Sequence, residues 1–348
     1  MATGRKSSAL SWLITLSIAA AALYYSLRGV DWGSVGFTLA HADPRYLALV
    51  LVFTSLSIFV RSVRWGLLLG AEEKLAVSTV FWATAVGYLG NAVLPARAGE
   101  LLRTQMISAR SHLSRSYVFA TALTGLAMDV IVVVVLSAIV IVTMPQTPEW
   151  LKKGSSTMAL FGLAGMAVLV ILPHCEALVT GLLRQVPGPE SLRTRLIGIG
   201  GQFLLGLRAF HHTSRFAAFA GISFGVWLMD ALGAVFIARS LHMALPFAVA
   251  VLLLSGLALA SSAPSTPGYV GVYQIVAVGI LPPFGISKTD AIAYILVLQA
   301  ISYVVFLLWG LPGLWQLKRI SVPNSGRQVP DPDPEAAFLP DKSREIAS

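Results

Sequence analysis

A few polar side chains stand in an otherwise apolar sequence, at spacings that can hold charge where charge is costly. Arg61 and Arg64 (in RSVRW), Asp129 and Asp230 each lie inside an apolar run. Between them the stretch GYLGNAVLPARAGELLR carries Asn91, Arg97, Glu100 and Arg103 around Pro95 and Gly99. A guanidinium fork suits a lipid phosphate. The alternative for Arg61 and Arg64 is anchoring, with long cations reaching from a helix end to the membrane surface. A carboxylate within a span is a functional candidate, either as an ion partner or as a proton carrier, against the plainer reading of a structural ion pair. Arg97, Glu100 and Arg103 are spaced by three, so on a helix they share one face. Pro95 and Gly99 break the backbone beside them and can aim helix-end amides at an anion; alternatively the three charges neutralise one another. Asn91 either contacts a head group or caps a broken helix.

Metal and redox chemistry find little support. Cys175 is the sole cysteine, which excludes an intrachain disulfide and a thiolate cluster. His211 and His212 sit beside Arg208 with no third ligand nearby, which favours a surface role. No metal or cofactor is expected.

The elements that must position these residues are membrane helices. The chain has 348 residues, 56% hydrophobic and only 12% charged, with several runs near the roughly 18–20 apolar residues that cross a bilayer. The net charge of +9 then reads as basic loops facing the cytoplasm and anionic lipid, not as nucleic-acid binding. Tryptophans and tyrosines read as interface belts. Spans are expected at about residues 9–27, 46–69, 117–144, 157–172, 216–238 and 292–314, the first uncleaved. The segment after the first span, with Asp31, Trp32, His41 and Asp43, reads as a loop, and residues 192–210 as a surface helix.

Residues 77–93 behave differently. The basic stretch after them (Arg97, Arg103, Arg110 and Arg115 against Glu100) belongs in the cytoplasm. The loop before them is also cytoplasmic if the first span starts inside. With both ends on one side, the segment must dip into the membrane and return. A second interrupted segment carries Pro264, Pro267 and Gly268 (PSTPGYVGVYQ). The two match in step: Pro95 with Pro264, Gly99 with Gly268, Gly87 with Gly256, Gln105 with Gln274, and Arg61 with Asp230.

Each half therefore reads span, span, hairpin, span, and an odd number of full spans inverts the second half. The expected fold is an all-α polytopic membrane protein of about six full spans and two re-entrant hairpins, an eight-segment inverted repeat. The halves are expected at about residues 9–144 and 157–316 of a transmembrane domain over 1–320, with a disordered cytoplasmic tail at 321–348. Paired broken segments near mid-membrane point to a transporter-type site.

At these residues the chain resembles the transmembrane-domain family of lysylphosphatidylglycerol synthases, also described as flippase-like membrane proteins. The carriers are RSVRW, NAVLPARAGELLR, Asp129 and PSTPGYVGVYQ, within about residues 46–314. Relatives often carry Glu-Arg shortly before the aspartate, where this chain has Gly125 and Leu126, and often end the second motif in Glu, where it has Gln274. The tail is too short for a synthetase domain, so the resemblance implies the stand-alone lipid-translocating branch. That branch is linked with phospholipid, isoprenoid-lipid and hopanoid handling. Gln274 joins the candidate binding set through the repeat and this motif.

The expectation is a translocator of a polar or isoprenoid-type lipid in a bacterial cytoplasmic membrane, both termini cytoplasmic. The partner is a membrane lipid; if it bears phosphate the arginines hold it, and if it is a hopanoid they are structural. The alternatives are a membrane transferase using a lipid-linked donor and a scaffold that docks a lipid-synthesis enzyme on residues 184–215.

Overall fold

The computed structural model describes residues 23–94, 97–144, 213–262 and 266–319, with a few isolated positions between 160 and 201. Pro95, Pro264, Cys175, His211, His212, the segments at 157–172 and 192–210, the tail, and all but the end of the first expected span lie outside the described residues. Among the described residues the structure is helical and without strands.

A short helix, α1 (Trp32–Ala40), occupies what the sequence reads as a loop. Asp31 caps it: its carboxylate accepts from Gly33 N at 2.9 Å and from Ser34 Oγ at 2.6 Å, occupying donors that would otherwise be orphaned at a helix start. Among the described residues, four helices are long and apolar enough to cross a membrane. They are α2 (Pro44–Leu69), α5 (Arg115–Thr143), α6 (Thr213–Ser240) and α9 (Lys288–Arg319). Each extends beyond the apolar core read from sequence because polar residues start it. Asp43 caps α2 with Pro44 in its first turn, Ser114 caps α5, and Ser287 and Asp290 bond reciprocally at the start of α9. Leu49, Val52, Leu56 and Phe59 form an exposed stripe along α2, a face for lipid rather than water.

Two helix pairs are the remaining elements among the described residues. In the first, α3 (Val77–Val93) turns back as α4 (Gly99–Ser108). In the second, α7 (Phe247–Ser262) passes through a 3₁₀ turn, Pro267–Tyr269, into α8 (Val272–Ile280). Both pairs are antiparallel: Gly90 lies against Gly99 and Gly87 against Arg103, while Gly256 lies against Val276 and Ile280. The first closure is backbone on backbone. A Cβ on Gly99 would strike the Gly87 carbonyl and come within 2.6 Å of Asn91 N and Oδ1, so only glycine permits it.

A displacement of 169 residues, the separation of Arg61 and Asp230, lays α2 over α6, α3 over α7, α4 over the 3₁₀ turn and α8, and α5 over α9. Packing follows the same correspondence. α2 packs on α6, whereas α3 packs on α9 and α7 on α5. The main apolar core lies between α2, α6, α7, α8 and α9, with the buried Tyr294 hydroxyl donating to Ala234 O at 3.0 Å.

Candidate functional site

Residues brought together from three helices begin the site. Arg61 on α2 donates from Nη1 to Asp129 Oδ2 on α5 at 3.2 Å and from Nη2 to Asp230 Oδ2 on α6 at 2.7 Å. Arg64, one turn on, reaches the same Asp129 from Nη1 at 2.5 Å and Nη2 at 2.9 Å, and Ser223 Oγ at 2.9 Å. The spacing of three puts both guanidinium groups on one face of α2. Trp227 Nε1 adds a donor to Asp129 Oδ1 at 3.1 Å, and Arg61 lies over its ring at 5.1 Å. All four charged side chains are largely buried, with 7–23% of their surface exposed. Buried charge at this depth is tolerated because each one is paired and hydrogen-bonded.

The first hairpin supplies a second cluster. Glu100 and Arg103 form an ion pair one turn apart on α4. Asn91 Nδ2 donates to Glu100 Oε1 at 3.2 Å, which ties the end of α3 to the start of α4. Arg103 lies 4.6 Å over the Trp65 ring, and Trp65 Nε1 donates to Thr121 Oγ1 at 3.1 Å. Arg97 departs from the expected shared face. It precedes α4 with φ +55°, a left-handed conformation that turns its side chain away from the helix. Arg97 Nη1 instead reaches the other hairpin, donating to Ser261 O at 3.2 Å.

The second hairpin is shaped by hydrogen bonds to its own backbone. Gly268, at φ +63°, offers a carbonyl that accepts from Tyr303 Oη at 2.6 Å and from Gln299 Nε2 at 3.1 Å. Gln299 in turn accepts from Gln274 Nε2 at 2.6 Å, and Gln274 Oε1 accepts from Gly271 N at 2.8 Å at the start of α8. Gln274 is thus buried in the frame of the turn. Pro267 opens the 3₁₀ turn.

Where the hairpin tips meet, a cavity of about 270 Å³ opens, near the roughly 300 Å³ lower bound of small-ligand pockets. Its polar wall carries Arg61, Asn91, Arg97, Asp129, Asp230 and Gln299, and its apolar wall Phe53, Ile58, Leu254, Leu257, Leu298 and Phe306. A smaller space of about 50 Å³ adjoins it, sharing Arg61, Arg97 and Asp129 and adding Arg64, Glu100 and Arg103. Of the candidate binding residues read from sequence, Arg61, Asn91, Arg97, Asp129 and Asp230 line the main cavity, Arg64, Glu100 and Arg103 line only the smaller space, and Gln274 lines neither.

Sequence reasoning missed Trp227, Tyr269, Tyr273, Gln299 and Tyr303. The tryptophans Trp65 and Trp227 are partners of buried charge here, a correction to the interface-belt reading, because each sits within a turn of a charged residue: Trp65 follows Arg61 by four and Trp227 precedes Asp230 by three. Tyr269 and Tyr273 stack at 5.1 Å with 7° between rings; their spacing of four was the available signal.

Two curated relatives share this chain's sequence. A protein named glycosyltransferase AglD from Haloferax volcanii is 24% identical over 88% of this chain, and the match covers 53% of the relative's own length. A UPF0104 membrane protein from Pyrococcus horikoshii is 26% identical over 80% of this chain and 90% of the relative. The chain thus spans about half the length of the first relative. No solved structure matches. The family model for the lysylphosphatidylglycerol synthase TM region matches residues 12–310. With long apolar helices packed around buried ion pairs, the chain is a multi-pass membrane protein that belongs to the lysylphosphatidylglycerol synthase TM-region family.

Proposed function

We propose that the protein is a lipid translocator, in which a polar head passes through the cavity between the two hairpin tips while its apolar tails stay in the bilayer. The observation that carries this reading is the cavity itself: a charged, hydrogen-bonding wall faces an apolar wall, and both interrupted segments meet at it. Irregular backbone and charge at membrane depth are characteristic of sites that line such a passage.

In this reading the fold is an inverted repeat of eight membrane segments, the first hairpin entering from the cytoplasm and the second from outside. The correspondence of elements at 169 residues and the crossed packing of α3 on α9 and α7 on α5 support it. Arg61, Arg64, Arg97 and Arg103 provide positive charge; Glu100, Asp129 and Asp230 balance it; Asn91 contacts the head. Residues 1–320 form the translocating domain in a cytoplasmic membrane, both termini cytoplasmic, and residues 321–348 the tail. A lipid-synthesis enzyme is the natural partner. The test is head-group accessibility in proteoliposomes of wild type and Arg103→Ala. Faster transbilayer movement than in protein-free vesicles, reduced in the variant, is the expected result. Equal rates for both at the protein-free level would remove the reading.

One finding favours a second reading, a membrane transferase using a lipid-linked donor: the printed name of the Haloferax relative is that of a glycosyltransferase. Its test is product formation from a lipid-linked donor in purified membranes, with and without chelator.

A further inference from the structure

One helix, α1, takes no part in either charged cluster. It has nine residues, about 14 Å of helix, far short of the roughly 30 Å hydrocarbon layer. Both of its ends are held to the ends of spans. At its start Asp31 N donates to Thr289 Oγ1 at 3.5 Å, and Lys288 Nζ caps the helix end before it, donating to Arg28 O at 2.7 Å and Tyr25 O at 3.1 Å. At its end His41 O accepts from His242 Nε2 at 3.2 Å, and Asp43 N donates to Ser240 O at 2.8 Å. The partners are the start of α9 and the end of α6, with the start of α2 beside them. The Tyr294–Ala234 bond puts the α9 start and the α6 end at one level, since each residue lies equally far from its terminus. A helix tied at both ends to one level runs along the membrane boundary rather than into it. Val30 and Val35 seat it in the main core. Outside, Trp32, Phe37 and Leu39 are 53%, 66% and 38% exposed, apolar surface that is unfavourable in water.

We infer that α1 is an interfacial helix that sets Trp32, Phe37 and Leu39 among lipids where head groups meet acyl chains, and that apolar burial alone holds it there. The inference does not depend on the translocator reading. WGSVGFTLA contains no charged residue, and its flanks balance Arg28 and Arg45 against Asp31 and Asp43. An interfacial helix binds through buried apolar area and through attraction to anionic lipid; α1 has only the first. Its depth therefore follows how tightly the acyl chains pack, not the charge of the surface. Lipid rather than a protein is the occupant because the exposed face falls between two lipid-facing stretches of the chain. Tyr24 and Tyr25 are exposed at the helix end before it, in the manner of interface aromatics. The next large exposed apolar side chain after it, Leu49, begins the lipid-facing stripe of α2.

The test uses the full chain with Cys175→Ser, carrying Phe37→Cys or Trp32→Cys labelled with an environment-sensitive fluorophore, in phosphatidylcholine vesicles. The reference is the same label at Lys74→Cys, in an exposed loop. The quenchers are lipids with a nitroxide near the head group, and iodide present on both sides. At Phe37 and Trp32 the emission is expected to be blue-shifted from the reference, quenched by the nitroxide lipid and shielded from iodide. Unsaturated chains should enlarge the shift relative to saturated ones, while phosphatidylglycerol or added salt should leave it unchanged. Iodide quenching equal to that of the reference would place α1 in water and overturn the inference. Shielding from both quenchers would mean that protein covers the face, and would overturn it equally. A shift that grows with anionic lipid and collapses in salt would remove the claim that apolar burial acts alone. If Phe37→Cys does not accumulate, Trp32→Cys decides by the same readings.

Discussion

Arg61 and Asp230, 169 residues apart in the chain, are bonded to each other at 2.7 Å. The helices that carry them, α2 and α6, pack on each other. Arg61 also holds Asp129, so one guanidinium joins three helices.

The two aspartates are not equivalent. Among the described residues, Asp129 accepts from Arg61, from Arg64 twice and from Trp227, whereas Asp230 accepts from Arg61 alone. Asp129→Asn is therefore expected to cost about 3–5 kcal/mol, the range for breaking a buried pair, and Asp230→Asn less. Thermal unfolding in detergent checks the order. Equal costs would mean that the donor count around each carboxylate is not what sets stability here.

Trp227→Phe keeps the ring beneath Arg61 and removes the N–H that Asp129 accepts. The expected loss is roughly 1.5–3 kcal/mol, typical of a hydrogen bond to a charged group. In the Asp129→Asn background the same substitution should cost much less, and a double-mutant cycle measures the difference.

Gly99→Ala forces a methyl group into the Gly87 carbonyl and the end of α3. Overpacking against backbone costs about 1–3 kcal/mol or more, so the hairpin should open or the protein should fail to accumulate. Gly279→Ala, in α8 with nothing within 4 Å of the added Cβ, is the control and should be neutral or slightly stabilising. The comparison is made by unfolding midpoint and yield.

Contact between the hairpin tips can be tested chemically. With Cys175 replaced by Ser, Arg97→Cys and Ser261→Cys should be joined by a short cleavable thiol reagent, since Arg97 Nη1 lies 3.2 Å from Ser261 O. Under the proposed translocation, joining should arrest lipid movement and cleavage should restore it. Cross-linking that leaves the rate untouched would show that the tips need not separate during transport.

The Asp31 cap carries a pH dependence outside the spans. The Ser34 hydroxyl, then the Ser34 and Gly33 amides, hold its carboxyl below the ordinary carboxylate value. A carboxyl lowered on folding stabilises fully above its ordinary value, and that contribution disappears as pH falls through the lowered one. Amide exchange at Gly33 and Ser34 should rise over that acidic window in wild type and show no such step in Asp31→Asn.

Much of this arrangement was legible from residue types. Helix starts followed Ser, Asp and Pro, and the break between α3 and α4 lay where Pro and Gly cluster. The correspondence of Arg61 with Asp230 came from counting alone, and the ion pair follows from their opposite charge. Other features depend on tertiary geometry. Arg97 looked like a helix residue by spacing, but its backbone turns left-handed before α4 begins. Gln274 looked like a ligand contact because it repeats Gln105, yet burial made it part of the second hairpin's frame. α1 was hidden because its nine residues lack a clear polar face, and only its cap announced it.

The Gly268 carbonyl, gripped by Tyr303 and Gln299, fixes the bend of its turn whether or not anything occupies the neighbouring space. Its conformational entropy is surrendered when the chain folds, so an arriving guest finds that corner rigid and loses little further freedom to it. The opposite tip is tied within itself by Asn91 and Glu100 and across to the second pair by Arg97.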